Sequence, residues 1–237
     1  MKRNKFKLIY EHLKNDIQQG FYQKNDYLPS EHELVESFQA SRETIRKALK
    51  LLSEHGYIQK IQGKGSLVLN NPKIQFPVTG LVSFKELAKS IGNKSKTEVI
   101  SLHDKPIIEP LLDGVFNQND RVWEIIRVRQ IDGENIILDK DFLLKSHVPT
   151  ITKEQCEHSI YQYVENELGL AISFAKKEIT VEDVTEEDKN LLDLEGFSNI
   201  VVVRSLVYLE DASLFQYTES RHRTDKFRFV DFARRIK

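Results

Sequence analysis

The sequence predicts an α/β chain of the α+β type in two parts: three short helices closed by a small hairpin, then a mixed sheet with flanking helices. Three observations predict it. Apolar residues recur at helical spacing up to His55, whereas from Tyr57 onward strand-length apolar runs alternate with glycine turns. Charge also changes sign, since residues 1–73 hold thirteen basic and eight acidic side chains and the remainder twenty-two and twenty-eight. Finally, the polar, turn-prone run Asn70-Asn71-Pro72-Lys73 breaks the strand pattern at the charge switch. The expected division is a basic head at 1–71, a linker at 72–77 and an acidic body at 78–237.

The chain of 237 residues has a formal net charge of -1, and its ordinary apolar and charged fractions suit two modest globular domains. A basic head on an acidic body fits a module that docks on nucleic acid. Cys156 is the single cysteine, which rules out an intramolecular disulfide and a thiolate metal cluster and points to the cytoplasm. The basic start Lys2, Arg3, Lys5, Lys7 is not followed by an apolar run of signal-peptide length. No stretch is long enough for a membrane span.

Phe6, Ile9, Tyr10, Leu13 and Ile17 mark a first helix that stops at Gly20. Ser30 and Glu33 have the spacing of a capping box ahead of Leu34, Val35 and Phe38, which gives a short second helix. Only Gln39 and Ala40 separate it from a third helix that Ser41 caps and Gly56 ends. That helix places Ile45, Ala48, Leu49 and Leu52 on one face and Arg42, Arg46 and Lys50 on another, with Lys47 beside them. Taken alone, a basic face is as often solvated as functional. The tight junction between the second and third helices, however, is that of a helix-turn-helix whose last helix reads DNA.

After Gly56, Tyr57 to Gln62 and Ser66 to Leu69 read as two strands joined by Gly63-Lys64-Gly65. The glycines permit close backbone approach to a groove wall, and Lys64 adds charge. The blocks Leu28-Pro29-Ser30-Glu31, Ser41-Arg42-Glu43-Thr44-Ile45-Arg46, Gly56-Tyr57-Ile58 and Gly63-Lys64-Gly65-Ser66 resemble the winged helix of GntR-family bacterial repressors in order and spacing. The resemblance implies double-stranded operator DNA as partner. Candidate DNA-binding residues are Ser30, Ser41, Arg42, Thr44, Arg46, Lys47, Gly63, Lys64 and Gly65. His32 departs from the arginine of many relatives, so no phosphate contact is assigned to it.

In the body, Val99 to His103 reads as a strand, Glu109 to Phe116 as a short helix, and Val122 to Ile131 as a clear strand. Trp123, Ile125, Arg127, Arg129 and Ile131 share one face of that last strand. Two arginines so placed repel each other unless water or an anion lies between them, and a phosphate would satisfy both. A sheet face open to water, with the arginines lying flat, is the competing reading. Asp132-Gly133 turns into Ile136 to Phe142, where Asp139 shares a face with Ile137 and Asp141, available to pair with arginine or to accept from sugar hydroxyls.

Ser159 to Leu168 reads as a helix in which Ser159 serves either as a simple cap or as part of an anion site. Ala171 to Val184 reads as extended, Thr185 to Leu192 as a short helix, and Ile200 to Leu209 and Leu214 to Arg223 as strands. Gln216, Thr218, Ser220 and His222 form a polar stripe on the last of these. Phe227 to Phe232 reads as one more strand.

This second part resembles the effector domain (UTRA) of the HutC branch of the GntR family, whose fold is similar to chorismate lyase. The blocks Gln75-Phe76-Pro77-Val78, Leu81 to Leu87, Ile137 to Asp141 and Leu214 to Arg223 resemble those of trehalose operon repressors. The resemblance implies a homodimer with no cofactor and no catalytic residue. It also implies a trehalose 6-phosphate effector held by Phe84, Lys85, Arg127, Arg129, Ser159 and Tyr161 at the phosphate, and by Asp139, Gln216 and His222 at the sugar. Glucosamine 6-phosphate is the rival ligand. A lyase-like enzyme is the rival class, although no nucleophile elbow, metal-ligand spacing or phosphate loop is present.

Overall fold

The computed structural model describes residues 5–69, 84, 94–107, 115–117 and 120–229. They fall into two compact units, one within residues 5–69 and one within 84–229. The linker expected at 72–77, Lys85 and most of the helix expected over Glu109 to Phe116 lie outside the described residues.

The first unit contains α1 (Lys5–Gln19), α2 (Glu31–Phe38) and α3 (Arg42–Glu54), then β1 (Ile58–Ile61) paired antiparallel with β2 (Gly65–Val68). Local chemistry sets the helix starts. The Ser30 hydroxyl accepts from the Glu33 amide at 3.2 Å while the Glu33 carboxylate accepts from the Ser30 amide at 2.8 Å, a reciprocal cap. Gly56 ends α3 in the left-handed region at φ 73, as its position suggested. Gln39 carries the turn between α2 and α3 at φ 46, in the left-handed region that residues with a side chain seldom adopt. Leu13, Leu34, Ile45, Leu49, Leu52 and Ile58 close the core with almost no surface left. Each such side chain contributes roughly 1.5–3 kcal/mol through burial.

The second unit is a six-stranded sheet. Its elements are β3 (Ser95–Pro106), β4 (Arg121–Ile131), β5 (Glu134–Leu144), α4 (Lys153–His158), α5 (Ile160–Asn166), β6 (Ile172–Asp183), α6 (Glu186–Leu191), β7 (Asn199–Leu209) and β8 (Leu214–Arg223). The strand order is β3-β4-β5-β8-β7-β6. The α+β fold class stands, but the described sheet is antiparallel at every pairing rather than mixed. Hairpin connections explain this, because two-residue turns such as Asp132-Gly133, at φ 52 and 92, can only join antiparallel neighbours. Residues 227–229 carry no strand pairing, against the expected last strand, and follow a 3-10 turn at Thr224–Lys226. The helix α4 was not foreseen, although Thr152 and Gln155 form its capping box.

One irregularity positions the functional face. Close to the turn, Ile131 pairs with Glu134 and Gln130 with Asn135, but Arg129 then pairs with Ile137, so Ile136 is skipped. A one-residue bulge exchanges the faces of everything beyond it. Without the bulge, Arg127 would lie beside Leu138; with it, Asp139 lies opposite Arg127 and Asp141 opposite Ile125. The α4 and α5 helices cover this face at one end through Cys156, Ile160, Tyr163 and Val164, packed with Ile125, Leu143 and Val207.

The opposite face carries a second buried ion network beside α6. Arg221 meets Asp188 through Nε and Nη2, both at 2.8 Å, and Glu219 through Nη1 at 3.1 Å; Arg204 joins Glu219 to Glu182. Asp188 is fully buried. Removing one member of such a pair strands the other without solvent. Asp188→Ala is therefore expected to lower unfolding free energy by about 3–5 kcal/mol in urea titrations, with Asp188→Asn, which keeps an acceptor for the guanidinium, losing clearly less.

Candidate nucleic-acid interface and effector site

In the first unit the cap of α3 stands at the exposed edge that carries the expected DNA-binding residues. The Ser41 hydroxyl accepts from the Thr44 amide at 3.2 Å and lies 2.9 Å from the Thr44 hydroxyl. Ser30, Ser41, Arg42, Arg46 and Lys47 are exposed and Thr44 is half-buried, while Ile45, Ala48, Leu49 and Leu52 of the same helix are in the core. The division of α3 into a packed face and a charged face is thus as its periodicity indicated. Gly63 and Gly65 have φ 75 and 110, so the turn they build with Lys64 requires residues without a side chain. A Cβ on Gly63 would meet nothing within 4 Å, which leaves the peptide edge of this turn open.

The cations are not equivalent. Arg46 Nε donates to Glu31 at 2.8 Å and the Lys60 ammonium to the same carboxylate at 3.1 Å, so Glu31 ties α2, α3 and β1 together. The hydrogen bond from Arg46, with Lys60 adding to it, holds the Glu31 carboxyl below its ordinary range. Lys47 pairs with Glu43 at 2.8 Å. Arg42 and Lys64 have no ion pair among the described residues. Neither Glu31 nor Lys60 figures among the expected DNA-binding residues, because their joining depends on a contact 29 residues apart in sequence.

In the second unit the bulge brings together two arginines and two aspartates. Arg127 donates to Asp141 from Nε at 3.0 Å and Nη2 at 2.5 Å, and from Nη1 to the Cys156 carbonyl at 3.1 Å. Arg129 donates from Nε to Asp139 at 2.8 Å and from Nη1 to the Thr97 hydroxyl at 2.6 Å. The four charged residues are between 2% and 7% exposed, which excludes arginines lying flat in water. Nor do the arginines await an anion to relieve their repulsion, since the aspartates already supply the countercharge. Asp141, absent from the expected site, is its most buried acid.

Other expected residues surround this cluster. The Phe84 ring stacks on the Arg129 guanidinium at 4.6 Å. The Ser220 hydroxyl donates to Asp139 at 2.6 Å, and Gln216 Nε2 donates to Asp141 at 2.7 Å. The Gln216 carbonyl oxygen is buried with no hydrogen-bond partner among the described residues. Burial raises the Tyr161 phenol, and the Asp141 carboxylate beside it acts in the same direction. Ser159 is used as a helix cap, its hydroxyl accepting from the Gln162 amide at 3.2 Å. Of the expected effector residues, Phe84, Arg127, Arg129, Asp139, Tyr161, Gln216 and His222 thus gather on one face. Ser159 stands at the junction of α4 and α5, three residues beyond the carbonyl that Arg127 contacts.

Titration follows from burial and pairing. Burial alone would raise the Asp139 carboxyl, but Arg129 and Arg127 outweigh it and hold the pKa down at about 2. Asp141 moves upward, driven by burial and by Asp139 next to it against the pull of Arg127. Burial lowers His222 from 6.5 to about 4, with Asp139 opposing, and pushes the Cys156 thiol up to about 12.

Two family models match the chain, bacterial regulatory proteins of the gntR family over residues 6–68 and the UTRA domain over residues 90–228. The HTH-type transcriptional regulator TreR of Bacillus subtilis is 58% identical over 238 residues, covering 100% of both chains. A crystal structure of the possible transcriptional regulator YydK from Bacillus subtilis superposes with a TM-score of 0.80 at 25% identity, covering 97% of this chain and 99% of that one. The effector-binding domain of the Bacillus subtilis trehalose repressor covers 60% of this chain and 99% of its own, at 58% identity and a TM-score of 0.55.

Two predictions arise from these sites. Arg42→Ala should cost about 1–3 kcal/mol of specific operator binding if it reads a base, or flatten the salt slope if it meets a phosphate, as measured by fluorescence anisotropy at two ionic strengths. For His222 the folded pKa of about 4 lies below its ordinary 6.5, so between these values the unfolded chain takes up a proton that the folded chain refuses. Stability should accordingly fall by on the order of 2–3 kcal/mol as pH drops from 6.5 to 4. Urea midpoints should show the loss in wild type and a shallower slope in His222→Phe. With its helix-turn-helix head and UTRA body both matched, the chain belongs to the gntR family of bacterial regulatory proteins.

Proposed function

We propose that the protein is a dimeric, cytoplasmic repressor of trehalose uptake and utilisation genes, released from operator DNA when trehalose 6-phosphate binds the second unit. The observation that carries this reading is the buried Arg127, Arg129, Asp139, Asp141 cluster, with an unsatisfied Gln216 carbonyl at its side. Full-length likeness to TreR, and likeness of the second unit to the effector domain of a trehalose repressor, support trehalose as the sugar.

The cluster suits a ligand that is an anion at one end and hydroxylated at the other. A phosphate takes donors from Arg127 and Arg129, and each carboxylate so relieved accepts from sugar hydroxyls in place of a guanidinium. Gln216 gains the donor it lacks. Such an exchange leaves every buried polar group hydrogen-bonded after binding, while the ligand adds its own negative charge to the cluster. A neutral sugar leaves the arginines on their aspartates and gains only the hydroxyl contacts. Two half-sites on an inverted repeat give a winged helix the specificity that one copy lacks.

Calorimetry with the intact protein tests the reading. Trehalose 6-phosphate is expected to bind at least a hundredfold more tightly than trehalose, given about 1.5–3 kcal/mol for each charge-assisted hydrogen bond. Gln216→Leu, which removes the unsatisfied acceptor together with the Nε2 donor to Asp141, should weaken trehalose 6-phosphate about tenfold and also lower the melting temperature. Equal affinity for the two sugars, or tighter binding of glucosamine 6-phosphate, would remove this effector assignment.

A further inference from the structure

The polar face does not stop at the charged cluster. Strand register continues one row across the sheet: Asp141 lies opposite Thr218, Thr218 opposite Ser205, and Ser205 opposite Lys177. Directly paired residues point to the same side of a sheet, so β5, β8, β7 and β6 each contribute one polar side chain to a single line. The neighbouring rows on β7 and β6 are apolar, with Val203 opposite Ile179 and Val201 opposite Val181. Ile179 and Val181 are 37% and 67% exposed, so this part of the face is open.

Hydroxyls that border an apolar strip and still reach solvent are open to a ligand that offers both kinds of surface. Ser205 is buried and Thr218 half-buried, and neither hydroxyl makes a hydrogen bond to a described residue. Lys177 is half-buried, and burial lowers its ammonium pKa. At about 4.8 Å per strand, the row from Asp141 to Lys177 runs roughly 14 Å. A single hexose seated on the cluster covers only its first part. An apolar strip beside a hydroxyl row matches a second sugar ring, which offers hydroxyls at its rim and C–H groups on its face.

Building on the effector reading above, we infer that the binding site extends along Thr218, Ser205 and Lys177, where the second hexose of a disaccharide phosphate lies. Thr218 and Ser205 exchange hydrogen bonds with its hydroxyls, and Lys177 donates to the far edge from β6. These three residues set the preference for a disaccharide over a monosaccharide phosphate, while the arginine cluster sets the requirement for the phosphate.

The test compares trehalose 6-phosphate with glucose 6-phosphate by calorimetry on the full-length protein. The variants are Ser205→Ala, Thr218→Val and Lys177→Met, with melting temperature and sedimentation as controls for folding and assembly. Each variant is expected to weaken trehalose 6-phosphate about threefold to tenfold and to leave glucose 6-phosphate within twofold. The triple variant should bring the two ligands close to equal. Loss of both ligands in parallel, no loss of either, or a change of oligomeric state that accounts for the loss would overturn the extended subsite alone. Failure of the wild type to bind trehalose 6-phosphate at all would overturn the effector assignment and the subsite with it.

Discussion

Four buried charges that must remain in balance govern the second unit. Arg127 and Arg129 project from one strand with nowhere to send their charge except Asp139 and Asp141 on the next. Moving a single guanidinium or carboxylate out of water costs several kcal/mol, so any rearrangement that separates one pair has to supply another partner at once. On the proposed reading, this constraint makes the cluster selective. A phosphate that brings hydroxyls with it can exchange places with the aspartates; an anion or a sugar alone satisfies only half of the groups it disturbs.

The constraint depends on a backbone detail. Skipping Ile136 turns the acidic face of β5 toward the arginine face of β4, and the same turn of register carries the line onward to β8, β7 and β6. Both the charged cluster and the hydroxyl row are consequences of pairing register. Packing of α4 and α5 then closes one end, and the Cys156 carbonyl adds a fixed acceptor for Arg127. The ion network around Arg221 on the reverse face anchors the neighbouring strand, so that β8 is held by charge on both of its sides.

The first unit was legible in the sequence almost throughout because its signals are local. A cap, an apolar stripe and a glycine stop each lie within one helix, and Ser30, Ser41 and Gly56 all serve as their positions indicated. The second unit was legible in its strands and turns but not in how they pair. Nothing near Ile136 marks a bulge, so Asp141 could not be matched to Arg127, and the arginines read as a pair in need of an anion. The strand expected over Phe227 to Phe232 makes no pairing at residues 227–229, the part of it that is described, since alternation alone does not provide a neighbour to pair with. Family resemblance found most of the remaining residues of the site, including Phe84 and His222, which no spacing argument would have joined.

The account's central claim is that ligand binding exchanges partners within the arginine and aspartate cluster. A crystal structure of the protein with trehalose 6-phosphate tests it most directly. The claim predicts phosphate oxygens within hydrogen-bond distance of both Arg127 and Arg129, with Asp139 and Asp141 turned to sugar hydroxyls and the Gln216 carbonyl accepting from one of them. A complex in which the sugar phosphate is bound while Arg127 to Asp141 and Arg129 to Asp139 remain paired as in the free protein would contradict it.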